Sequence, residues 1–533
     1  MRTWQHIAIL LLVSSFLYFF ALGGMPLTDP DETFYAETAK EMAGSGEWIT
    51  PTIFGKPQFE KPILYYWLVE ISYKLFGVTE FSSRLPSAVF GVIGVIGVYL
   101  LGRVLFSPLC GLLSALAMST SALYIVLARA CVTDIVLTVF ILFCMLLFIL
   151  GWQSGKKIWY MVAAAMAAFA VLTKGPIGLL IPGAALAAYV AAGRRWRQLG
   201  RIPLFWSILV FLAVSLPWYV MVTRIHGGDF LSHFFGFQNV TRFLVPEHRL
   251  GSTPLFYIPI VLGGIFPWTP FLVFGAWHLY KKGTEGARLA GSRLFLAAWF
   301  LTVFVFFTVA RTKLVTYIFP LFPVLAVVSG RFWEAYIRDG RNRRSDVMMN
   351  LSFGLLLLVS LAGQVAAFFV IKARYGDIAW PVLSVLSFFT AAVVVSYLFV
   401  IKGKGYKSFF TLVLAVMVLV LPFGARIAPA IATIESSKPL AEILGSVAGA
   451  EEAVAGECDH RRGIAFYSGR TDIEDVHPYH DLGLFVSRKD RVWAIIQDKH
   501  FAQLKINKSD LPLEVVAVSG EYVLITNKPY KRR

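Results

Sequence analysis

Charge is scarce in this chain. Of its 533 residues only 15% are Asp, Glu, Lys or Arg, while 57% are hydrophobic. A soluble domain carries nearer one quarter charged residues, so the composition excludes an ordinary soluble enzyme and defines a polytopic membrane protein. Cysteine is scarce as well. Cys110, Cys131, Cys144 and Cys458 show no metal-ligand spacing, and three of them lie in or beside apolar runs, where a thiol packs as a small hydrophobe. That excludes a disulfide framework. No GxxxxGK[ST] motif occurs, and "TKGP" (173–176) is too short to cradle a nucleotide, so nothing points to nucleotide hydrolysis. Internal repeats and low-complexity tracts are also missing.

What the chain has is long apolar runs. A membrane span needs about twenty such residues. Thirteen runs qualify, near 5–24, 82–104, 109–127, 134–152, 158–173, 176–193, 203–223, 254–280, 293–310, 313–330, 347–371, 378–401 and 407–426. The first lacks a small-x-small cleavage site and is followed by others, so it reads as a retained span rather than a signal peptide. The fold class expected is a polytopic α-helical membrane domain over 1–426, followed by a soluble α/β domain over 427–533. In that domain "AVAGECDH", "GIAFYSG", "RVWAIIQD" and "LEVVAVSGEYVLITN" read as strands, with helices near 436–446 and 498–505.

The net charge of +17 does not indicate nucleic acid, because many of the Lys and Arg residues fall in short loops between runs. The loops at 155–157, 193–201, 280–293, 330–345 and 401–407 are basic, which places them in the cytoplasm together with the N-terminus. An odd number of spans then puts 427–533 on the far side. The loop 24–81, the segment 224–253, and the short stretches 128–134, 173–176 and 310–313 share that outer face. In the first loop, 31–42 reads as a helix with Thr28 or Asp29 as N-cap and Pro30 in its first turn. A second helix over 61–76 carries Tyr65, Tyr66, Trp67 and Tyr73. Both are expected to lie along the membrane surface with aromatics at headgroup level.

Three acidic features mark the outer edge of the bundle: Asp31-Glu32, Glu60-Lys61 and Asp134. Taken singly, each reads as a hydrated loop carboxylate or a helix cap. The coincidence of cations changes that reading. Lys61, Arg129, Lys174, Arg242 with Arg249, and Arg311 with Lys313 all stand near span ends on the face that should be poor in Lys and Arg. Gathered around one site, they would bind an anion at the membrane surface, for which a lipid phosphate is the obvious candidate. Carboxylates among them would supply general-base chemistry. Glu247 and His248 leave room for a divalent metal shared with a first-loop carboxylate, although no fixed spacing supports one; no cofactor is required. "NVT" (239–241) fits a glycosylation pattern only weakly.

The stretch "DPDETFYAETAKEMAGSGEWITPTIFGKPQFEKPILYYW" resembles the first periplasmic loop of bacterial lipid-linked-sugar glycosyltransferases of the aminoarabinose transferase (ArnT) type, which belong with the protein O-mannosyltransferase-like enzymes of the GT-C fold. "ARACVTDIVLT", "LTKGPIGLL", "RFLVPEHR" and "KLVTYIFPLFP" look like further family blocks in the same order, over nearly all of 1–330. The resemblance implies a bacterial inner-membrane enzyme that moves a sugar, with inversion, from a polyprenyl (undecaprenyl) phosphate to lipid A or another glycan on the periplasmic face. It implies that Asp31 activates or positions the acceptor, that Lys61 holds the donor phosphate with Glu60 beside it, that Asp134 is a second acidic site residue, and that Tyr317 contacts the donor. Arg242 and His248 fall in the family's variable loop. The sugar stays open between aminoarabinose, a hexose and a uronic acid, and so does the oligomeric state. A competing reading is a lipid or polysaccharide transporter, which would expect ionisable residues near mid-membrane. The spans here are nearly free of them. The C-terminal domain reads as a shaper of acceptor choice or as a scaffold.

Overall fold

The computed structural model describes residues 3–245, 253–281, 287–338, 343–457, 460–477, 480–507 and 511–530. The chain divides into two compact units. One comprises Met1–Phe20, Phe59–Tyr65 and Ser87–Phe423; the other comprises Ala21–Gln58, Tyr66–Pro86 and Gly424–Arg533. The second unit thus joins most of the first loop to the C-terminal region.

Among the described residues, seven helical stretches are long and apolar enough to cross a membrane, or nine if each of two bent pairs forms one span. Three shorter apolar helices, Thr3–Phe19, Ile158–Lys174 and Ile177–Ala192, add to them. The expected runs 109–127 and 254–280 are not straight helices. The first breaks between Pro108–Ser119 and Ala122–Ala128 at 69°, the second between Tyr257–Gly264 and Thr269–Trp277 at 107°. At the first break the hydroxyls of Thr120 and Ser121 take the carbonyls of Leu116 and Ala117, each at 2.7 Å. At the second, Pro267 removes a backbone donor. The two breaks satisfy each other: the Ala122 amide donates to the Phe266 carbonyl at 3.0 Å, and the Trp268 indole donates to Thr120 Oγ1 at 2.9 Å. Backbone groups freed inside a bilayer need such partners. Close packing elsewhere rests on small residues. A Cβ on Gly330 would stand 2.5 Å from the Ser114 amide nitrogen, so the helices Pro108–Ser119 and Phe322–Arg338 meet backbone to backbone.

The second unit holds the hairpin β1 (Thr52–Ile53) and β2 (Lys56–Pro57), and a five-stranded sheet. The sheet strands are β3 (Ala453–Gly456), β4 (Ile473–Asp475), β5 (Val492–Gln497), β6 (Glu514–Ser519) and β7 (Tyr522–Thr526), in the order β4-β3-β5-β7-β6. Helices Lys438–Val447 and Asp498–Asn507 stand where the sequence placed them. "GIAFYSG" does not form a strand; it lies in the helix Arg461–Ser468, closed by Gly469 at φ 74°. Topology supplies the reason. β3 and β4 are parallel, and parallel neighbours need a crossover, which this helix provides. β4 itself escaped the sequence reading.

The first-loop helix spans Asp31–Ser45, but its N-cap is Pro30, without a side-chain cap bond. Glu32 instead reaches back to Thr28, accepting from its amide at 2.9 Å and its hydroxyl at 2.8 Å. Residues 32 to 39 are buried without interruption, so this is not a surface helix with one wet face. The next helix, Leu64–Phe76, likewise buries Tyr65, Tyr66 and Tyr73 and exposes Leu75 and Phe76. Lys40 Nζ donates to the carbonyls of Ala465 and Phe466 at 3.2 and 2.9 Å, where it favours the C-terminal end of their helix.

Arg84, fully buried, is the main tie of the acidic loop. Its Nε and Nη2 fork onto Glu32 at 2.8 and 2.7 Å, and further bonds reach the carbonyls of Leu22, Met25 and Pro26 at 3.2, 2.8 and 2.7 Å. Removing one partner of a buried pair strands the other charge and costs about 3–5 kcal/mol. Arg84→Leu is therefore expected to lower the thermal unfolding midpoint of the detergent-solubilised chain well below that of a substitution at exposed Lys372. An unchanged midpoint would show that the fork contributes nothing.

Candidate active site

The first unit encloses a cavity of about 510 Å³ whose polar lining is Glu60, Lys61, Asp134, Lys174, Gln238, Arg242, Thr312 and Tyr317. Each is delivered by the end of an element. Glu60 and Lys61 lie in the short segment 59–65, where Pro62 and Ile63 are buried. The Tyr65 hydroxyl meets Ser87 Oγ at 2.9 Å, which pins the segment to the next helix. Phe59 packs its ring against His226, Phe230 and His233. Asp134 opens the helix Asp134–Ser154, and Lys174 closes Ile158–Lys174. The turn between these two helices brings both residues to the same end, and Lys174 Nζ binds Asp134 Oδ1 at 2.6 Å. The ammonium also stands 5.0 Å from the centre of the Tyr317 ring, a cation–π contact. Tyr317 comes from the 3₁₀ turn Val315–Leu321. Arg242 follows the π-helical stretch Leu231–Thr241, and its Nη1 donates to Gln238 Oε1 at 2.6 Å.

The rest of the lining is apolar: Leu137, Ile177, Leu180, Phe234, Phe306 and Phe307 among others. The cavity thus joins three cations and two carboxylates to greasy walls, a lining that suits an amphiphile with a charged head. Lys61 reports the crowding. Its ammonium is pushed down to about 8, chiefly by burial; Glu60 opposes the shift, Lys174 and Arg242 add to it by repulsion, and Asp134 opposes it. Three cations and two carboxylates share the space. An arriving anion would relieve that repulsion.

The structure therefore brings together Glu60, Lys61, Asp134, Lys174, Arg242 and Tyr317. Arg129 is not among the lining residues; its Nη1 donates to the carbonyls of Leu17, Tyr18 and Phe20 at 2.9, 3.3 and 2.8 Å, closing the helix Thr3–Phe19. Asp31 belongs to the second unit, where it opens its helix with an exposed side chain. Glu247 and His248 lie outside the described residues, and among the described residues no group of three His, Cys, Asp or Glu side chains is arranged to hold a metal. Gln238, Thr312 and the apolar walls were missed by sequence reasoning. Residues facing a cavity and residues facing lipid have the same composition, so no signal separated them.

Residues 60–220 match the family described as dolichyl-phosphate-mannose-protein mannosyltransferase. The undecaprenyl phosphate-alpha-4-amino-4-deoxy-L-arabinose arabinosyl transferase of Edwardsiella ictaluri is 31% identical over 385 residues, covering 71% of this chain and 67% of that one. The protein of the same name from Aeromonas hydrophila is 31% identical over 375 residues, covering 68% and 66%. The matches span about two thirds of the length of these curated relatives. In fold the chain is similar to ArnT from Cupriavidus metallidurans bound to undecaprenyl phosphate, with a TM-score of 0.82, 21% identity, and coverage of 98% of this chain and 97% of that one. The apo form gives a TM-score of 0.80 at 22% identity, with the same coverage. The fold is that of the GT-C membrane glycosyltransferases. Within that class, the chain belongs to the ArnT-type family.

Proposed function

We propose that this chain is a multi-pass inner-membrane glycosyltransferase that takes a sugar from undecaprenyl phosphate and transfers it, with inversion, to lipid A or another glycan on the periplasmic face. The observation that carries this reading is the joining of Lys61, Lys174 and Arg242 to apolar walls in one cavity. In the reaction the bond between the sugar's anomeric carbon and the phosphate oxygen breaks, the acceptor oxygen or nitrogen forms the new bond, and the electron pair leaves on the lipid phosphate. Fixed cations stabilise that departing charge. Asp134 orients Lys174 through their ion pair, Glu60 supports the charge of Lys61, and the Tyr317 ring backs the Lys174 ammonium. Asp31, on the grounds of the family resemblance, takes the acceptor's proton. The chain needs no nucleotide, since the lipid-linked sugar carries the free energy.

The helix ends support this orientation. Asp134 begins a 21-residue helix whose far end leads to the basic loop 155–157, about 30 Å away. A cytoplasmic basic loop thus goes with a periplasmic cavity. The long stretch Arg343–Ile401 divides at Gly376 into Arg343–Tyr375 and Ala379–Ile401, two spans rather than one. With the bent pairs and the three shorter helices, this supports thirteen spans, a cytoplasmic N-terminus and a periplasmic C-terminal region.

Reconstituted with undecaprenyl phosphate-linked 4-amino-4-deoxy-L-arabinose and lipid A, the full chain is expected to yield lipid A heavier by one aminoarabinose. Unmodified lipid A beside a consumed hexose- or uronic acid-linked donor would replace the sugar assignment. Movement of the intact donor across the vesicle without a covalent product would favour a transporter instead.

A further inference from the structure

The acidic loop is fastened from the C-terminal part of the second unit, just before Asp31. The Leu27 amide donates to the Tyr467 hydroxyl at 2.7 Å. Asp29, whose side chain is only 2% exposed, accepts from three side chains: Thr33 Oγ1 at 2.7 Å on Oδ1, and Ser437 Oγ at 3.0 Å and His460 Nδ1 at 3.3 Å on Oδ2. The other ring nitrogen, His460 Nε2, meets the Tyr522 hydroxyl at 2.8 Å. Asp29 offers Nδ1 only a carboxylate oxygen, which can accept but not donate, so in the neutral ring Nε2 is the acceptor and the Tyr522 hydroxyl donates to it. Nδ1 then carries the imidazole hydrogen and donates to Asp29. Gly463 closes the arrangement. A Cβ there would stand 2.5 and 2.6 Å from the two Asp29 oxygens and 2.5 Å from Ser437 Oγ, so the backbone must be bare where Asp29 docks.

We propose that Tyr522, His460 and Ser437, acting on Asp29, are positioning residues for Asp31, so that the C-terminal region sets the geometry of the reaction's general base. The inference rests on the role given to Asp31 under the proposed function. Asp29 lies two residues before Asp31, and Glu32 is held one residue after it by Arg84. The backbone is therefore fixed on both sides of Asp31, which sets where its carboxylate can stand. The cluster is not a nucleophilic triad. Ser437 bonds the carboxylate rather than the imidazole, and the hydroxyl on Nε2 belongs to Tyr522, which is buried.

The test uses the full chain in detergent with undecaprenyl phosphate-linked aminoarabinose and lipid A as probes. His460→Phe is expected to lower kcat about tenfold, with the Kd for undecaprenyl phosphate within about twofold of wild type. His460→Asn, which restores a donor near the Nδ1 position, should recover most of the loss. Gly463→Ala should reproduce the defect by displacing Asp29, and Ser437→Ala offers a milder version if either variant fails to fold. A kcat unchanged in His460→Phe and Ser437→Ala, or a loss of lipid-phosphate binding and thermal stability in step with kcat, would overturn the positioning role. Asp31→Asn is measured in parallel. If it is inactive while His460→Phe works at the wild-type rate, only this inference fails; if it is fully active, the base assignment fails with it.

Discussion

Lys61→Ala is expected to lower transfer about 10²–10³-fold, the usual cost of removing one preorganised partner of a developing anion, while the protein still inserts and unfolds at no lower a temperature. The argument rests on the position of Lys61 in a cavity with Lys174 and Arg242. Its charged form is disfavoured before any ligand arrives, mainly by burial. Deleting it therefore relieves the resting protein and penalises only the state with an anion bound. Both kcat and kcat/KM should fall, because the phosphate gains negative charge as the sugar departs.

The same residue makes a pH prediction whose direction is fixed. Lys61 loses its proton near pH 8, lower than an ordinary lysine. As pH rises through about 8 the free enzyme loses one cation, so kcat/KM for the lipid-linked donor should fall. A bound phosphate favours the ammonium, so kcat should hold its plateau to higher pH. Lys61→Arg stays charged throughout, and its kcat/KM should be lower overall but flat across that range. An alkaline limb that persists in Lys61→Arg would assign the titration to another group.

Much of this site was legible because membrane proteins restrict where charge can go. Lys61, Lys174 and Arg242 stood out as cations on the face that should lack them, and the cavity gathers all three. Arg129 looked the same in sequence, yet it closes a helix with carbonyls from residues more than a hundred positions earlier. Composition cannot separate those fates. Nor could it pair Asp134 with Lys174: the ion pair depends on two helices turning back at Gly155, whose φ of 72° ends the first of them. The apolar runs marked where apolar helices form, but the breaks at Thr120 and Pro267 depend on contacts between distant segments. In the C-terminal region, short apolar runs marked β3, β5, β6 and β7, and β5 and β7 are buried almost throughout because they lie inside the sheet. "GIAFYSG" misled because four consecutive buried residues fit either a strand or a short helix, and the parallel pairing that decides between them is not local.

Asp31→Asn separates the two halves of the chemistry. The substitution keeps size and hydrogen-bonding shape but removes the group that accepts a proton, so transfer should fall about 10²–10⁴-fold. Undecaprenyl phosphate binding, measured by its Kd, should stay within about twofold, because the cations proposed to hold the phosphate are untouched. The anchors on either side, Asp29 with its three donors and Glu32 with Arg84, are untouched as well, so the thermal midpoint should not move. Asp31→Glu, with the base retained but displaced by one methylene, should fall between the two. Lys61→Ala is expected to damage lipid-phosphate binding and transfer together, and Asp31→Asn transfer alone. If both variants lost binding equally, Asp31 would be a donor contact; if Asp31→Asn transferred normally, the acceptor's proton would leave by another route and Glu60 would be the next carboxylate to replace.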